Sequence, residues 1–337
     1  MRILLSGFGT VGKGFAEVLR RRQDMLAERY GPEAVPRIVC VMDSRTVARN
    51  PAGIDTEALE KRKDEKGTVG DETYTDPIAV MNSVGFDLLV EVSPTNIKDG
   101  GSGLKVIRYA LERGKDVITV NKGPLALCFG ELVGLASRNG CKFKFEGSVG
   151  GAMPIINLCH RNLKGENIRS IRGIFNGTCN YILSKMDTGQ TFDQALKEAQ
   201  QRGYAETDPT NDVEGFDAAA KVTILANSVF GRNVTIKDVS ITGISHITQG
   251  AIELAAARDM VIRLIGEVSE DRLEVAPRLI PKGHPLSIGG TLNTAMIDAD
   301  LAGPVTVSGR GAGRIETASA IFGDLLSVMD DRIGQPY

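Results

Sequence analysis

The chain has 337 residues, 42% of them apolar and 24% charged, with 40 basic against 42 acidic side chains. That length exceeds what one ordinary core organises, so two domains are expected. The apolar and charged fractions are those of a folded globular protein, and the near-neutral balance gives no sign of a nucleic-acid or membrane-surface partner. No apolar run approaches the ~20 residues that span a bilayer. The start, Met1-Arg2-Ile3-Leu4-Leu5-Ser6-Gly7, turns to glycine too soon for a secretory signal. The five cysteines, Cys40, Cys128, Cys141, Cys159 and Cys179, have no C-x-x-C spacing, so reduced thiols, a cytoplasmic location and no zinc site are expected.

Arg2–Ser6 reads as a short apolar strand running into glycines, and Lys13–Glu28 as a helix with Phe15, Val18, Leu19 and Leu26 on one side. Gly31-Pro32 stops that helix, and Arg37–Met42 is a second strand ending at Asp43. Thr46–Asp76, polar and densely charged over Glu57–Lys66, reads as a surface insertion. Phe86–Val92 is a buried strand ending at Ser93-Pro94-Thr95. Leu104–Arg113 is a helix, and Asp116–Val120 is a strand ending at Asn121-Lys122. Pro124 is placed to open the next helix, which runs to about Asn139. Strands alternating with helices predict an α/β domain with a Rossmann-type, doubly wound parallel sheet over residues 1–135.

After Cys141 the pattern changes. Arg169–Phe175 alternates as a strand, Phe192–Arg202 and Asp212–Phe230 read as helices, and Val261–Val268, Leu273–Leu279 and Pro304–Ser308 as strands of another sheet. This predicts a second, α+β domain over residues 136–308 that binds substrate and dimerises. Residues 309–337, with a helix near Thr317–Met329, are expected to return to the first domain.

Gly7-Phe8-Gly9-Thr10-Val11-Gly12 follows a strand and opens a helix, the setting in which G-x-G-x-x-G binds a dinucleotide. Gly7 permits the tight turn, Gly9 the approach of a pyrophosphate, and Gly12 close packing of helix on strand. The helix N-terminus offers N–H groups and partial positive charge to the phosphates. Asp43 should meet the adenosine ribose, favouring NAD, while Arg45 could hold a 2′-phosphate, favouring NADP; both stay open. Ligands of such sheets lie beyond the C-terminal strand ends, where Ser93, Pro94, Thr95, Asn121 and Lys122 sit.

The densest polar stretch runs from Gly203 to Lys221. Asp217 and Lys221, four apart, share one helical face. A surface ion pair there would contribute a few tenths of a kcal/mol at most. The run that follows, with Ile224, Leu225 and Phe230, is largely uncharged, which puts Lys221 at a buried boundary where a lone lysine is costly. A lysine with an aspartate beside it in a cleft suits proton transfer.

Here the sequence resembles the homoserine dehydrogenases. That family carries A-x3-G-[YF]-A-x2-D-P-x2-D-[VIL]-x-G-x-D-x3-K, and Ala199 to Lys221 fits it throughout. Gly7–Gly12, Asn121-Lys122, Glu146–Pro154, Asn176–Tyr181 and Gly309–Ala320 resemble further family blocks, with Glu316 standing where many members have proline. The resemblance implies NAD(P)-dependent interconversion of homoserine and aspartate 4-semialdehyde, in threonine, methionine and isoleucine biosynthesis. Lys122 and Lys221 resemble the catalytic lysines, and Asp217 a group that orients Lys221 or bonds the reacting oxygen. Glu206 would take the substrate ammonium, with Asp212, Tyr204, Gly177 and Thr178 completing the pocket. Gly311 and Gly313 resemble cofactor contacts. Glu146, with the carbonyls of Val149, Gly151 and Met153, resembles a sodium site. A homodimer is also implied. Neither an ACT domain nor a fused aspartate kinase is recognisable, which implies no allosteric inhibition by threonine. Two rival readings remain: a semialdehyde dehydrogenase using Cys179 as nucleophile, and a catalytically silent dinucleotide sensor.

Overall fold

The computed structural model describes residues 1–333 as two compact units. Among the described residues the first comprises Met1–Ser148 together with residues 313–333, and the second is Val149–Ala312.

The first unit is built on seven strands: β1 (Arg2–Ser6), β2 (Arg37–Met42), β3 (Thr46–Arg49), β4 (Glu72–Thr73), β5 (Leu88–Glu91), β6 (Asp116–Thr119) and β7 (Phe143–Lys144). Their order is β4-β3-β2-β1-β5-β6-β7, parallel from β2 to β7, with β3 and β4 added antiparallel at one edge. Alternation along the strands feeds two cores. Ile3, Leu5, Leu88 and Val90 pack with Phe15 and Leu19 of helix Thr10–Arg21 and with Ile321, Leu325 and Val328 of helix Arg314–Ile333. Leu4, Cys40, Leu89 and Val117 pack with Leu104, Ile107 and Leu111 of helix Gly101–Glu112 and with Leu132 of helix Lys122–Arg138. Helices on both faces of a parallel sheet are the doubly wound arrangement, with β1 and β5 at its switch point.

Two readings of this half need correction. The helix expected over Lys13–Glu28 is two helices, Thr10–Arg21 and Gln23–Tyr30, because Arg22 leaves helical backbone at φ −109°, ψ 8°. The stretch Thr46–Asp76 is not merely a surface insertion. It supplies β3, helix Thr56–Lys66 and β4, and buries Thr46, Val47, Leu59 and Val69. Charge density misled the reading, because Leu59 of helix Thr56–Lys66 is buried in the core and inward-facing charged residues such as Lys63 are taken up in ion pairs.

The second unit holds six strands: β8 (Ile168–Ile174), β9 (Ser240–Ile241), β10 (Met260–Ser269), β11 (Leu273–Pro281), β12 (Leu292–Ala299) and β13 (Gly303–Arg310). They run in the order β13-β12-β8-β10-β11-β9. Helices Gly177–Met186 and Phe216–Ser228 pack on this sheet. Gly266 of β10 faces Gly173 of β8 in register. A Cβ on Gly266 would press into Val222 and the Phe175 ring at 2.6 and 2.7 Å, so the glycine lets helix Phe216–Ser228 and Phe175 lie close on the strands.

The expected helix Asp212–Phe230 is also interrupted. A single turn, Thr210–Val213, is followed by Gly215 at φ +85°, and the helix proper is Phe216–Ser228. The left-handed glycine detaches Asp212 from the helical face that carries Asp217 and Lys221. Helix Gly177–Met186 and strand β12 were not anticipated. No disulfide joins any of the five cysteines. Among the described residues no helix is long and apolar enough to cross a membrane.

Candidate active site

In the first unit, the turn after β1 is shaped by close backbone approach. Gly7, at φ +102°, donates its N–H to the Met42 carbonyl at 2.7 Å, and a Cβ on it would strike the Val92 carbonyl oxygen at 2.7 Å. A Cβ on Gly12 would run into the Gly7 carbonyl oxygen, whereas Gly9 faces open space. Gly9 is the N-cap of helix Thr10–Arg21 and, having no side chain, makes no side-chain cap bond to the N–H groups of that first turn. Helix-terminal N–H groups that lack a side-chain cap, beside open space at Gly9, suit a pyrophosphate. Within this segment the Phe8 side chain is buried in the core, so only its backbone faces the turn, while Thr10 is exposed and Val11 half-buried.

Asp43, ending β2, is almost fully committed. One carboxylate oxygen accepts the N–H groups of Arg45 and Thr46 at 2.8 and 2.6 Å, and the other pairs with Lys63 at 2.7 Å. Burial pushes its pKa up, but the Lys63 ammonium and these backbone donors outweigh it and hold the carboxyl below its ordinary range. Sequence reasoning missed Lys63, which lies in the stretch read as an insertion. Arg45 is exposed.

At the far strand ends, Ser93 is half-buried, and Pro94 and Thr95 are exposed. The Asn121 side chain caps helix Lys122–Arg138 by accepting the Gly123 N–H at 3.1 Å, which fixes half-buried Lys122 as the first helical residue. Sequence reasoning also missed Glu91, fully buried beneath these residues. Glu146 is buried, and its N–H donates to Asp324 at 2.9 Å. Gly313, at φ +139°, lies against the Glu316 carboxylate.

In the second unit, Lys221 is 6% exposed. Its ammonium donates to the Phe175 carbonyl at 2.6 Å and to Asp217 at 2.8 Å. An ammonium has three N–H donors, so one remains for another acceptor. A surface pair would contribute at most about 1 kcal/mol, but removing one partner of a buried pair costs ~3–5 kcal/mol. The burial therefore places Lys221 and Asp217 in the second regime. Asn176, the N-cap of helix Gly177–Met186, donates to Asp212 at 2.7 Å and to the same Asp217 oxygen at 3.0 Å. Phe175 and Asn176 follow directly on β8, so one strand end organises both Lys221 and the two aspartates. Asn176 was missed as a site residue; its signal was an N-cap residue opening a helix that went unread.

The neighbours of this network include Thr178, whose hydroxyl donates to the Tyr204 carbonyl at 2.7 Å, while the Tyr204 ring lies edge-on to Tyr181 at 5.0 Å. Gly177 packs against the Thr291 carbonyl. Glu206 is exposed. Gly151, at φ +57°, abuts the Gly311 backbone, Val149 and Met153 are buried, and the Met153 carbonyl accepts the Ile155 N–H at 2.9 Å. Cys179 is fully buried with its thiol on the Asp212 carbonyl, and burial and nearby aspartates push its pKa well up. A protonated, enclosed thiol is a poor nucleophile, which removes the reading that rests on Cys179.

Asp212 has its pKa raised from the ordinary 3.8, first by burial and then by Asp217, against the opposing bond from Asn176. A carboxyl whose folded pKa is raised stabilises the fold below its unfolded pKa, and loses that contribution as pH climbs through the folded value. Asp212→Asn should therefore flatten the fall in stability from acid toward neutral pH, and leave the variant at least as stable as the parent at pH 7. Denaturant titrations from pH 4 to 7 check this; a variant with an unchanged pH slope contradicts it.

Two family models match the chain. The family described as homoserine dehydrogenase, NAD binding domain, matches residues 7–146, and the homoserine dehydrogenase family matches residues 154–326. The chain is 47% identical over 335 residues to homoserine dehydrogenase of Methanocaldococcus jannaschii, covering 97% of this chain and 98% of that one. It is 38% identical to the NAD(+)-dependent homoserine dehydrogenase of Pseudomonas canavaninivorans, covering 97% and 96%. A hyperthermophilic archaeal homoserine dehydrogenase solved with NADPH superposes with a TM-score of 0.85 at 30% identity, covering 98% of each chain. The chain therefore belongs to the homoserine dehydrogenase family, NAD(P)-dependent oxidoreductases that act on a CH–OH group.

Proposed function

We propose that Lys221 is the proton-transfer group of this enzyme, and that Lys221 and Asp217, with Asp212 held beside them by Asn176, form the reacting part of the homoserine pocket. The observation that carries this reading is the buried ammonium, with two acceptors fixed by the fold and a third donor left over. The dinucleotide, when bound, supplies or takes the hydride. In the direction of reduction, the carbonyl oxygen of the semialdehyde gains negative charge as hydride arrives at carbon. The Lys221 ammonium stabilises that charge and passes it a proton. In the direction of oxidation, the neutral amine takes the hydroxyl proton back. Asp217 holds the ammonium in place. Glu206 would receive the substrate ammonium, with Tyr204, Gly177 and Thr178 lining the pocket, and Lys122 acts as the second lysine named by the family resemblance.

The glycine turn Gly7–Gly12, with Ser93, Pro94, Thr95, Asn121, Gly311 and Gly313, is proposed to hold the dinucleotide, and Asp43 with Arg45 its adenosine ribose. Asp43 is already neutralised by Lys63, so it does not repel a 2′-phosphate as an unpaired acid would, and both NAD and NADP are expected to serve. Glu146 and the carbonyls of Val149, Gly151 and Met153 are proposed as oxygen ligands for sodium; hard oxygen donors of this kind suit such an ion. The test is homoserine oxidation with NAD and with NADP, each with and without added sodium. Turnover with at least one dinucleotide is expected, stimulated by sodium. No turnover with either contradicts the reading, and sodium-independent rates contradict the cation site alone.

We further propose a homodimer through the sheet of the second unit. Strand β13 alternates between half-buried and exposed residues, and Leu279 on β11 and Leu292 at the start of β12 are exposed. Exposed apolar side chains on a sheet are commonly covered by a partner. Sedimentation at micromolar concentration should give twice the chain mass; a monomer there would rule the dimer out.

A further inference from the structure

Glu91 closes β5 in the middle of the parallel sheet, beside Ser6 at the end of β1 and Thr119 at the end of β6. The rest of the strand, Leu88-Leu89-Val90, is apolar, and Glu91 is as fully buried as they are. A buried carboxyl in a sheet core is expensive unless every oxygen is satisfied. Here one oxygen accepts the Ser93 N–H at 3.0 Å, the Ser93 hydroxyl, and the Asn121 amide at 3.4 Å. The other accepts the Thr119 hydroxyl at 3.0 Å. All of these donors are neutral, and no ion pair to Glu91 occurs among the described residues. Burial pushes its pKa up and the donors pull the other way.

The partners belong to two different strand-end loops. Ser93 begins the segment after β5, and Asn121 the segment after β6. Thr119 extends the link, because its hydroxyl oxygen accepts the Asn121 N–H at 3.1 Å. Asn121 in turn caps the helix that starts with Lys122. Gly103 lets helix Gly101–Glu112 close over the group, since a Cβ there would lie 2.5 Å from the Asn121 amide and 3.2 Å from Glu91. An apolar residue at position 91 would pack comfortably in the strand but would leave the Ser93 and Asn121 donors without their shared acceptor.

We propose that Glu91 is a positioning residue, which locks the Ser93–Thr95 and Asn121–Lys122 loops into one rigid cradle for the nicotinamide half of the dinucleotide. In a doubly wound sheet one half of the dinucleotide lies on each set of strands, and β5 and β6 begin the set opposite the adenosine side. The inference rests on the reading of Ser93 and Asn121–Lys122 as cofactor contacts. Glu91 itself reaches no ligand; it acts through Ser93, Thr119 and Asn121.

The test compares Glu91→Ala, Glu91→Gln and Thr119→Val, well below each variant's melting temperature. NADH and NADPH affinity is read by fluorescence, and kcat and homoserine KM by steady-state kinetics. Glu91→Ala should weaken dinucleotide binding and lower kcat by about tenfold each, the scale expected when reacting groups shift by a fraction of an ångström, with homoserine KM within about twofold. Glu91→Gln should recover most of the loss, because its amide oxygen can take the Ser93 and Asn121 donors while its NH2 turns to Thr119. Thr119→Val, which removes the Thr119 bond to Glu91 and its link to the Asn121 N–H while keeping Glu91 itself, should reproduce part of the defect and serves if Glu91→Ala fails to fold. A lower melting temperature with unchanged dinucleotide affinity and kcat in Glu91→Ala and Thr119→Val would overturn the proposal, as would Glu91→Gln as impaired as Glu91→Ala. Asn121→Ala and Lys122→Ala separate this from the cofactor reading. Normal binding and turnover in both would sink that reading, whereas defects there with a normal Glu91→Ala would sink only the role of Glu91.

Discussion

A lysine ammonium cannot be taken out of water without acceptors, and the second unit is arranged around that constraint. Lys221 emerges from helix Phe216–Ser228, and the helix alone offers it Asp217, one turn earlier. The second acceptor comes from the end of β8, where the Phe175 carbonyl points at the ammonium. Phe175 can sit there because Gly173 and Gly266 leave room for its ring on the sheet. The next residue, Asn176, caps a helix with its oxygen and ties Asp212 to Asp217 with its nitrogen. Strand end, helix cap and buried ion pair are thus one construction. Its cost falls on Asp212, whose carboxyl pKa is held up first by burial and then by the charge of Asp217. Clusters that trade stability for arranged charge are typical of functional sites.

The first unit meets a different demand, that of presenting backbone rather than charge. Its glycine turn is forced by the Val92 and Gly7 carbonyls, which leave no space for a side chain at Gly7 or Gly12. The acids nearest the strand ends are satisfied within the fold: Asp43 is paired with Lys63 and accepts two backbone N–H groups, and Glu91 accepts four hydrogen bonds from neutral donors. An Asp43 already paired with Lys63 suits a ligand that carries phosphates.

Much of this was legible in the sequence, for identifiable reasons. The parallel strands read cleanly because they are buried on both faces and so are continuous apolar runs, as in Ile3-Leu4-Leu5 and Leu88-Leu89-Val90. The glycine turn read cleanly because strand, glycines and helix are contiguous. Asp217 and Lys221 read as a pair because helical spacing is local. What stayed hidden depends on contacts far apart in the chain. Lys63 reaches Asp43 across 20 positions, Asn176 reaches Asp217 across 41, and Glu91 reaches Asn121 across 30. Gly215 hid the break before helix Phe216–Ser228, since a glycine within a periodic run is compatible with either outcome. Strand β12 was missed because Leu292-Asn293-Thr294 interrupts the apolar alternation with two buried polar residues.

The central claim is that the buried Lys221 ammonium handles the proton of the reacting oxygen, and turnover of Lys221→Ala tests it most directly. The account predicts a kcat lower by roughly a hundredfold or more, the usual scale for a general acid–base group, with dinucleotide affinity by fluorescence close to that of the parent and a smaller change in homoserine KM. A folded Lys221→Ala enzyme with near-normal kcat would contradict it, and would reduce the ion pair with Asp217 to a structural feature of the helix.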